Sequence, residues 1–404
     1  MEAPETAKNR KVGDLIIRSE GENQYVLKHA RRPYYWVCNK TAVIAAECLA
    51  AHESIDKAAV EFARRFDIGQ DKALVYIKEF VTQLRSERTV GIPFKFKTPL
   101  RVAWRITNRC NLNCLHCYTD ANSTKWQELN TDECLKLAAS FADARVVDIL
   151  VTGGEALHKP CILEVLEILD AQAATKSIFS NGVLIPKLGP KLLQFDIDWF
   201  ISVDGHREAH DAIRGAGNFE KTTRAIELLR EAGRKVTVAV VLTRFNVGEI
   251  ERFADTYLQQ GLSVQVSILV NTGRAPNHAS EIGVTPEELA HALERLAVLS
   301  ASRPGAISIQ DEAGNPVETK GCAVDGSSHS KGWACNAGLS KIVIGPDGSV
   351  FPCSFAPKLW PLGNLHSDSL ATTWLHPNRQ EFIKTNIKDG PFCRAVGGTV
   401  GRGH

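Results

Sequence analysis

The stretch Cys110-Asn111-Leu112-Asn113-Cys114-Leu115-His116-Cys117 puts three thiols into eight consecutive residues. A cubane iron–sulfur cluster has four irons and takes four cysteine ligands, so a loop offering three leaves one iron with a free coordination position. Catalytic metal sites keep such a position for substrate, whereas structural sites are closed. With 11 cysteines in 404 residues, the triplet is about a one-in-a-hundred accident over the whole chain. Zinc loops favour Cys-x-x-Cys with a distant second pair, and His116 is available as a fourth ligand. Spacing alone therefore leaves both a cluster and a zinc ion open.

Reading outward, Arg101-Val102-Ala103-Trp104-Arg105-Ile106-Thr107 alternates as a strand does. Apolar strands recur at residues 147–152, 176–180, 199–205, 235–242 and 262–270. Helical patterns lie between and after them, at residues 131–142, 160–171, 218–232 and 286–301. Strand–helix alternation of this kind predicts parallel βαβ units. Each strand runs into a short polar or glycine-bearing turn: Gly153-Gly154-Glu155, Asn181-Gly182 after Ser180, Ser202 to Gly205, Thr243 to Asn246, and Asn271 to Ala275. Ligands of α/β barrels and open sheets bind at these strand ends. The expected fold is α/β, a partial (β/α)6 TIM-type barrel over about residues 98–302, with its site at the C-terminal mouth.

The cysteine spacing resembles the cluster motif of the radical S-adenosylmethionine (SAM) enzymes, and the turns resemble that family's other landmarks in order. The resemblance implies a 4Fe–4S cluster on Cys110, Cys114 and Cys117, its open iron chelated by SAM. Electron transfer into SAM then yields a 5′-deoxyadenosyl radical that takes hydrogen from a substrate. Gly153, Gly154 and Glu155 resemble the segment that contacts the SAM amino group, and glycine lets backbone approach a ligand closely. Ser180 and Asn181 resemble the polar pair near the ribose, and Ser202 and Asp204 end the next strand. His210-Asp211-Ala212-Ile213-Arg214-Gly215 resembles the family's His-Asp-x-x-Arg-Gly, whose arginine, Arg214, would face the SAM carboxylate.

A second group of cysteines, Cys322, Cys335, Cys353 and Cys393, follows a long stretch without any. Residues 342–344 and 349–351 read as a hairpin about the turn Pro346-Asp347-Gly348. Cys335, Gly348 and Cys353, with Pro361-Leu362-Gly363-Asn364-Leu365 and Trp374, resemble the opening of SPASM/twitch domains, which bind auxiliary iron–sulfur clusters. The cysteine-rich end of a full SPASM domain is missing, so the resemblance implies one auxiliary 4Fe–4S cluster in a twitch-like or truncated SPASM domain, with zinc as the alternative. Cys38, Cys48, Cys134 and Cys161 lie in apolar or helical stretches and are expected in the core.

Residues 25–27 and 34–38 read as paired strands, Asn39 as a helix cap, and residues 41–51, 54–66 and 71–86 as helices; residues 84–92 read as a return to strand. This pattern resembles the winged-helix-like domain that binds leader peptides in the biosynthesis of ribosomally made, modified peptides, the peptide-chaperone component of pyrroloquinoline quinone synthesis above all. The basic run Lys28, His29, Arg31 and Arg32 suits either a solvated face or an acidic leader.

The expected domains are residues 1–95 for leader recognition, 96–305 for the barrel and 306–404 for the auxiliary cluster. The implied function is a peptide maturase that forms an oxidative cross-link, with a precursor peptide and an external electron donor of flavodoxin or ferredoxin type as partners. The alternative is a radical SAM enzyme acting on a small molecule such as a tetrapyrrole. A net charge of +2 argues against nucleic acid or a membrane surface as a partner. The polar N-terminus and the cysteine usage point to the cytoplasm.

Overall fold

The computed structural model describes residues 8–21, 23–30, 35–52, 54–86, 96–123, 127–310, 337–355 and 360–387. The chain begins with an antiparallel meander of β1 (Arg10–Val12), β2 (Leu15–Gly21), β3 (Gln24–His29) and β4 (Tyr35–Cys38). Three helices follow, Lys40–Ala51, Ile55–Phe66 and Gln70–Ser86. Asn39 caps the first, its side chain accepting from Ala42 N at 2.9 Å, and Ser54 caps the second through Lys57 N at 3.2 Å. Residues 84–86, expected to turn back into strand, continue the third helix; residues 87–92 of that expectation, and Arg31, Arg32 and Tyr34, lie outside the described residues.

The central sheet holds β5 (Arg101–Arg105), β6 (Asp148–Thr152), β7 (Thr175–Ser180), β8 (Asp198–Ser202), β9 (Val236–Val241), β10 (Ser263–Ser267) and β11 (Ile307–Gln310). These pair in sequence order and all parallel. The C-terminal hairpin joins the same sheet, because β12 (Lys341–Ile344) pairs parallel with β5, and β13 (Ser349–Phe351) and β14 (Gly363–Asn364) continue it antiparallel. The sheet thus runs past both ends of the expected barrel. Outward residues of β5, and Ile106 just past its end, show why the strands hold: Val102, Trp104 and Ile106 are at most 1% exposed, and Trp104 meets Phe141 of the helix Thr131–Asp143 edge-on at 5.6 Å. That helix starts with a capping box between Asn130 and Glu133. The turn Pro346-Asp347-Gly348 forms as expected, with Gly348 at φ +76° and Leu129 N donating to Pro346 O at 2.8 Å. Trp374, fully buried, donates to Phe96 O at 2.7 Å and fixes the C-terminal helices against the segment that leads into β5.

The N-terminal meander is covered on both faces. Ile17, Tyr25, Leu27 and Trp36 pack against its own helices, while Ile16 and Val26 enter the barrel's core. On β2 the residues in step with Ile16 are Arg18 and Glu20, both buried. Arg18 donates to Thr98 O at 3.0 Å, Pro99 O at 2.9 Å and Arg145 O at 2.9 Å, and pairs with Glu20 at 2.5 Å. Tyr35 OH donates to Asp148 Oδ2 at 2.9 Å, and Arg145 donates back to Ser19 O. Residues 98–99, 145 and 148 precede or begin β5 and β6, so the meander closes the bottom of the barrel, opposite the mouth. Among the described residues no helix is long and apolar enough to cross a membrane.

Replacing Arg18 by Met leaves Glu20 buried without its cation and three carbonyls without a donor. A loss of about 3–5 kcal/mol is expected, read as a lower denaturant midpoint and as faster proteolysis between the meander and the barrel.

Candidate functional site

The cysteine loop leaves β5 and is pinned to the turn after β6 by backbone alone. Gly154 N donates to Thr107 O and Glu155 N to Arg109 O, both at 2.8 Å. A Cβ on Gly153 would meet Thr107 O at 2.5 Å, and one on Gly154 would meet Arg109 O at 2.5 Å. Real Cβ atoms do not approach oxygen that closely, so both positions require glycine. The two glycines admit the loop that carries the cysteines and also line the cavity beside it. Glu128 holds the same loop from the side, accepting from Asn108 N at 2.6 Å and Thr107 Oγ1 at 2.8 Å, with Lys159 at 3.3 Å.

The far side of the loop is clasped by the turn after β10. Arg274 donates from its own N to Cys117 O at 2.9 Å, from Nε to Cys114 O at 3.1 Å and from Nη1 to Ala121 O at 2.7 Å. Gly273, at φ +64°, sits directly on the Cys117–Tyr118 backbone. Sequence reasoning marked Asn271 to Ala275 as a strand-end turn but gave Arg274 no role. An arginine followed by no nearby acid, just past an apolar strand, was the available signal.

The three thiols line one cavity of about 320 Å³ at the C-terminal ends of the strands. Each sulfur has a donor near it. Leu112 N lies 3.4 Å from Cys110 Sγ, Ala121 N 3.4 Å from Cys117 Sγ, and Arg214 Nη1 3.8 Å from Cys114 Sγ. Burial pushes the Cys110 thiol up to about 12 and raises that of Cys114, against the pull of Arg214. A cation beside Cys110 and Cys114, such as the irons of a cluster, would favour their thiolate forms. Thiols spread around a cavity suit a cluster, whose ligands bind separate irons. His116, the candidate fourth zinc ligand, is engaged elsewhere.

Its Nε2 lies 2.6 Å from Asp204 Oδ2, and Arg214 Nε reaches the same oxygen at 2.6 Å. Asp204 Oδ1 accepts from Val241 N at 3.0 Å. Burial alone would raise this carboxyl, but Arg214, then His116, and the Val241 N–H outweigh it and hold it well below the usual carboxylate range. The motif His210 to Gly215 resolves into separate duties. Asp204 N donates to His210 Nδ1 at 3.3 Å. Asp211 accepts from Gly217 N and Phe219 N, both at 2.8 Å, shaping the loop before the helix Asn218–Glu231. Arg214 pairs with Asp204, and Gly215 adopts φ +100°. Asn246 Nδ2 donates to Asp204 O at 3.2 Å and Val241 O at 2.8 Å, which gives the turn after β9 its part in the same knot.

Glu155 is 1% exposed, and both its oxygens are occupied. Oε1 accepts from Ser180 Oγ at 2.9 Å and Leu157 N at 3.1 Å, and Oε2 from Asn181 N at 2.8 Å. Burial raises its pKa against those bonds. Asn181 Nδ2 turns to Asn111 Oδ1 at 2.8 Å in the cysteine loop. The structure thus brings together Cys110, Cys114, Cys117, Gly153, Gly154, Glu155, Ser180, Asn181, Ser202 and Arg214 around the cavity, whereas Asp204 lies behind its wall. Below the rim, Phe179 and Phe200 stack at 4.7 Å and face the same space; sequence reading passed over both as ordinary strand residues. Of the second cysteine group, Cys353 is buried beside Phe355, Trp360 and Phe382, and Cys322, Cys335 and Cys393 lie outside the described residues.

Two tests follow from this geometry. Gly154→Ala is expected to displace the cysteine loop and lose most of the iron taken up on anaerobic reconstitution, whereas Gly248→Ala, with open space at its Cβ position, keeps it; iron per chain decides. His210 accepts from Asp204 N, and burial, then Arg214, lower its pKa from 6.5 to about 4. Between those values only the unfolded chain takes the proton, so stability falls as pH drops from about 6.5 to about 4, by about 3 kcal/mol in all. Thermal unfolding at pH 7 and pH 5 should show a smaller acid loss in His210→Asn than in the wild type.

The profile of the radical SAM superfamily matches residues 104–257, and that of an iron–sulfur cluster-binding domain, SPASM, matches residues 335–395. The chain is 30% identical over 262 residues to the mycofactocin maturase MftC of Mycobacterium ulcerans (strain Agy99), covering 64% of this chain and 69% of that one. It is 28% identical over 352 residues to the antilisterial bacteriocin subtilosin biosynthesis protein AlbA of Bacillus subtilis (strain 168), covering 84% and 73%. It is 26% identical over 293 residues to the AdoMet-dependent heme synthase of Methanosarcina barkeri, covering 68% and 82%. Among solved structures, SuiB of Streptococcus suis bound to S-adenosylmethionine superposes with a TM-score of 0.65 at 15% identity, over 96% of this chain and 94% of that one, a likeness of fold. With its three-cysteine loop at the mouth of a parallel sheet, this chain belongs to the radical SAM superfamily and carries a SPASM-type iron–sulfur domain.

Proposed function

We propose that this protein is a radical SAM maturase of a ribosomally made peptide. The observation that carries the reading is the N-terminal meander and helices docked beneath a sheet whose mouth carries the three-cysteine loop. A small-molecule enzyme has no use for such a domain. The 30% identity to the maturase MftC and the similarity to AlbA over 84% of this chain support the peptide. A tetrapyrrole substrate is the second reading, favoured by the heme synthase relative itself.

In this reading Cys110, Cys114 and Cys117 hold the SAM cluster, and Gly153, Gly154, Glu155, Ser180, Asn181, Ser202 and Arg214 form the SAM site, with Asp204 behind the wall holding Arg214. Bound there, cluster and SAM supply a one-electron reductive cleavage and hydrogen abstraction. The chain's own residues do the rest. Arg274 and the glycine turn keep the cysteine loop rigid. Arg214 presents a guanidinium fork to a carboxylate, and the stacked Phe179 and Phe200 offer an apolar wall to a substrate side chain. Cys322, Cys335, Cys353 and Cys393 are proposed to hold one auxiliary 4Fe–4S cluster, an electron acceptor that suits an oxidative cross-link. The winged-helix-like domain, residues 1–95, would bind the leader along β4, which among the described residues pairs only with β3, so that an extended peptide adds a strand. The barrel is assigned to residues 96–305 and the twitch-like domain to residues 306–404. The electron donor is of flavodoxin or ferredoxin type, and the protein acts in the cytoplasm.

The test is anaerobic. Reconstituted protein with SAM and a strong reductant should form 5′-deoxyadenosine, and the Cys110/Cys114/Cys117→Ala variant should form none. Candidate precursor peptides should raise the yield and gain a new mass; a response to a tetrapyrrole and to no peptide would select the second reading. Iron-loaded protein that forms no deoxyadenosine under any condition would overturn both.

A further inference from the structure

His116 lies between two cysteines of the cluster loop, yet its side chain turns away from them. Its Nε2 is 2.6 Å from Asp204 Oδ2, the oxygen that also takes Arg214 Nε at 2.6 Å, and Arg214 Nη1 lies 3.8 Å from Cys114 Sγ. A continuous chain of contacts therefore runs from the imidazole to the sulfur. The side chains of His116, Asp204 and Arg214 are 7%, 0% and 9% exposed. The carboxylate is fixed further, with Oδ1 held by Val241 N at 3.0 Å. A guanidinium is a rigid planar fork, so fixing Nε against Asp204 also fixes where Nη1 points. Without His116, one oxygen of Asp204 keeps Arg214 alone and the carboxylate is freer to turn, carrying the fork with it.

We propose that His116 is a positioning residue that, through Asp204, holds the Arg214 guanidinium against the Cys114 sulfur and toward the cavity, and so sets the cluster's reduction potential and the affinity for SAM. The proposal rests on the cluster-and-SAM reading of the site. A donor near a ligating sulfur withdraws charge from the cluster and favours its reduced form, and such outer contacts orient metal ligands generally. The same guanidinium lines the cavity, where a charge-assisted bond to the SAM carboxylate depends on its aim.

The experiment compares His116→Leu, His116→Gln and Asp204→Asn with the wild type after anaerobic reconstitution, at matched iron content. The readouts are the cluster's midpoint potential, from a titration followed by electron paramagnetic resonance, and the SAM dissociation constant from the change SAM causes in that spectrum. His116→Leu should move the potential to more negative values and weaken SAM binding about tenfold, equivalent to ~1.4 kcal/mol. His116→Gln, whose amide can donate to Asp204, should restore both toward wild type, and Asp204→Asn should match or exceed the leucine variant. A fully loaded His116→Leu with wild-type potential and SAM affinity overturns the proposal. If that variant loads no iron, Asp204→Asn decides, and wild-type values there overturn it equally. A wild type that loads iron but whose spectrum ignores SAM removes the cofactor reading and this proposal together, a result distinguishable from failure in the variants alone.

Discussion

Gly154 N to Thr107 O and Glu155 N to Arg109 O are two ordinary backbone bonds of 2.8 Å, and the height of the cysteine loop above the sheet depends on them. They form only because two consecutive residues lack a Cβ, since any side chain there would collide with a carbonyl oxygen. Once made, they bring the Glu155 carboxylate under the next turn, where it takes Ser180 Oγ and Asn181 N. Asn181 in turn reaches back to Asn111. A steric constraint at two glycines thus propagates into a closed ring of three turns around the cavity.

Charge is handled on the same plan. Asp204 is fully buried, and a lone carboxylate in that position would cost several kcal/mol. Arg214, His116 and the Val241 N–H share it, so the acid becomes the hub that joins the turns after β8 and β9 to the cysteine loop. Its value lies in direction: a buried pair with few alternative geometries keeps a cation beside a sulfur whose chemistry depends on nearby donors.

The N-terminal meander solves a different problem. A sheet with helices on one face would leave Ile16 and Val26 in water, and the barrel's lower end would expose the starts of β5 and β6. Docking one against the other covers both. Arg18 then satisfies carbonyls that precede those strands, and Glu20 neutralises it. The meander is thereby held to the base of the barrel by buried polar bonds, an arrangement of one fixed body more than of a loosely tethered module.

The sequence by itself determined the three-cysteine loop, the succession of strands that became β5 to β10, and the turns that line the mouth. These are local patterns: apolar runs of strand length, glycine where backbone must come close, and thiols at fixed spacing. Caps such as Asn39 and the turn Pro346-Asp347-Gly348 were legible for the same reason. Tertiary structure alone decided that His116 faces Asp204, that Arg274 clasps a loop about 160 residues away in the chain, and that Asp204 stands behind the cavity wall. It also decided that β12 extends the barrel's sheet beside β5 and that Arg18 and Glu20 are buried. Sequence reading marks no strand over β2, and even a strand pattern records which residues share a face but not what will cover it. Partners so distant in sequence leave no periodic signal, and only packing assigns them.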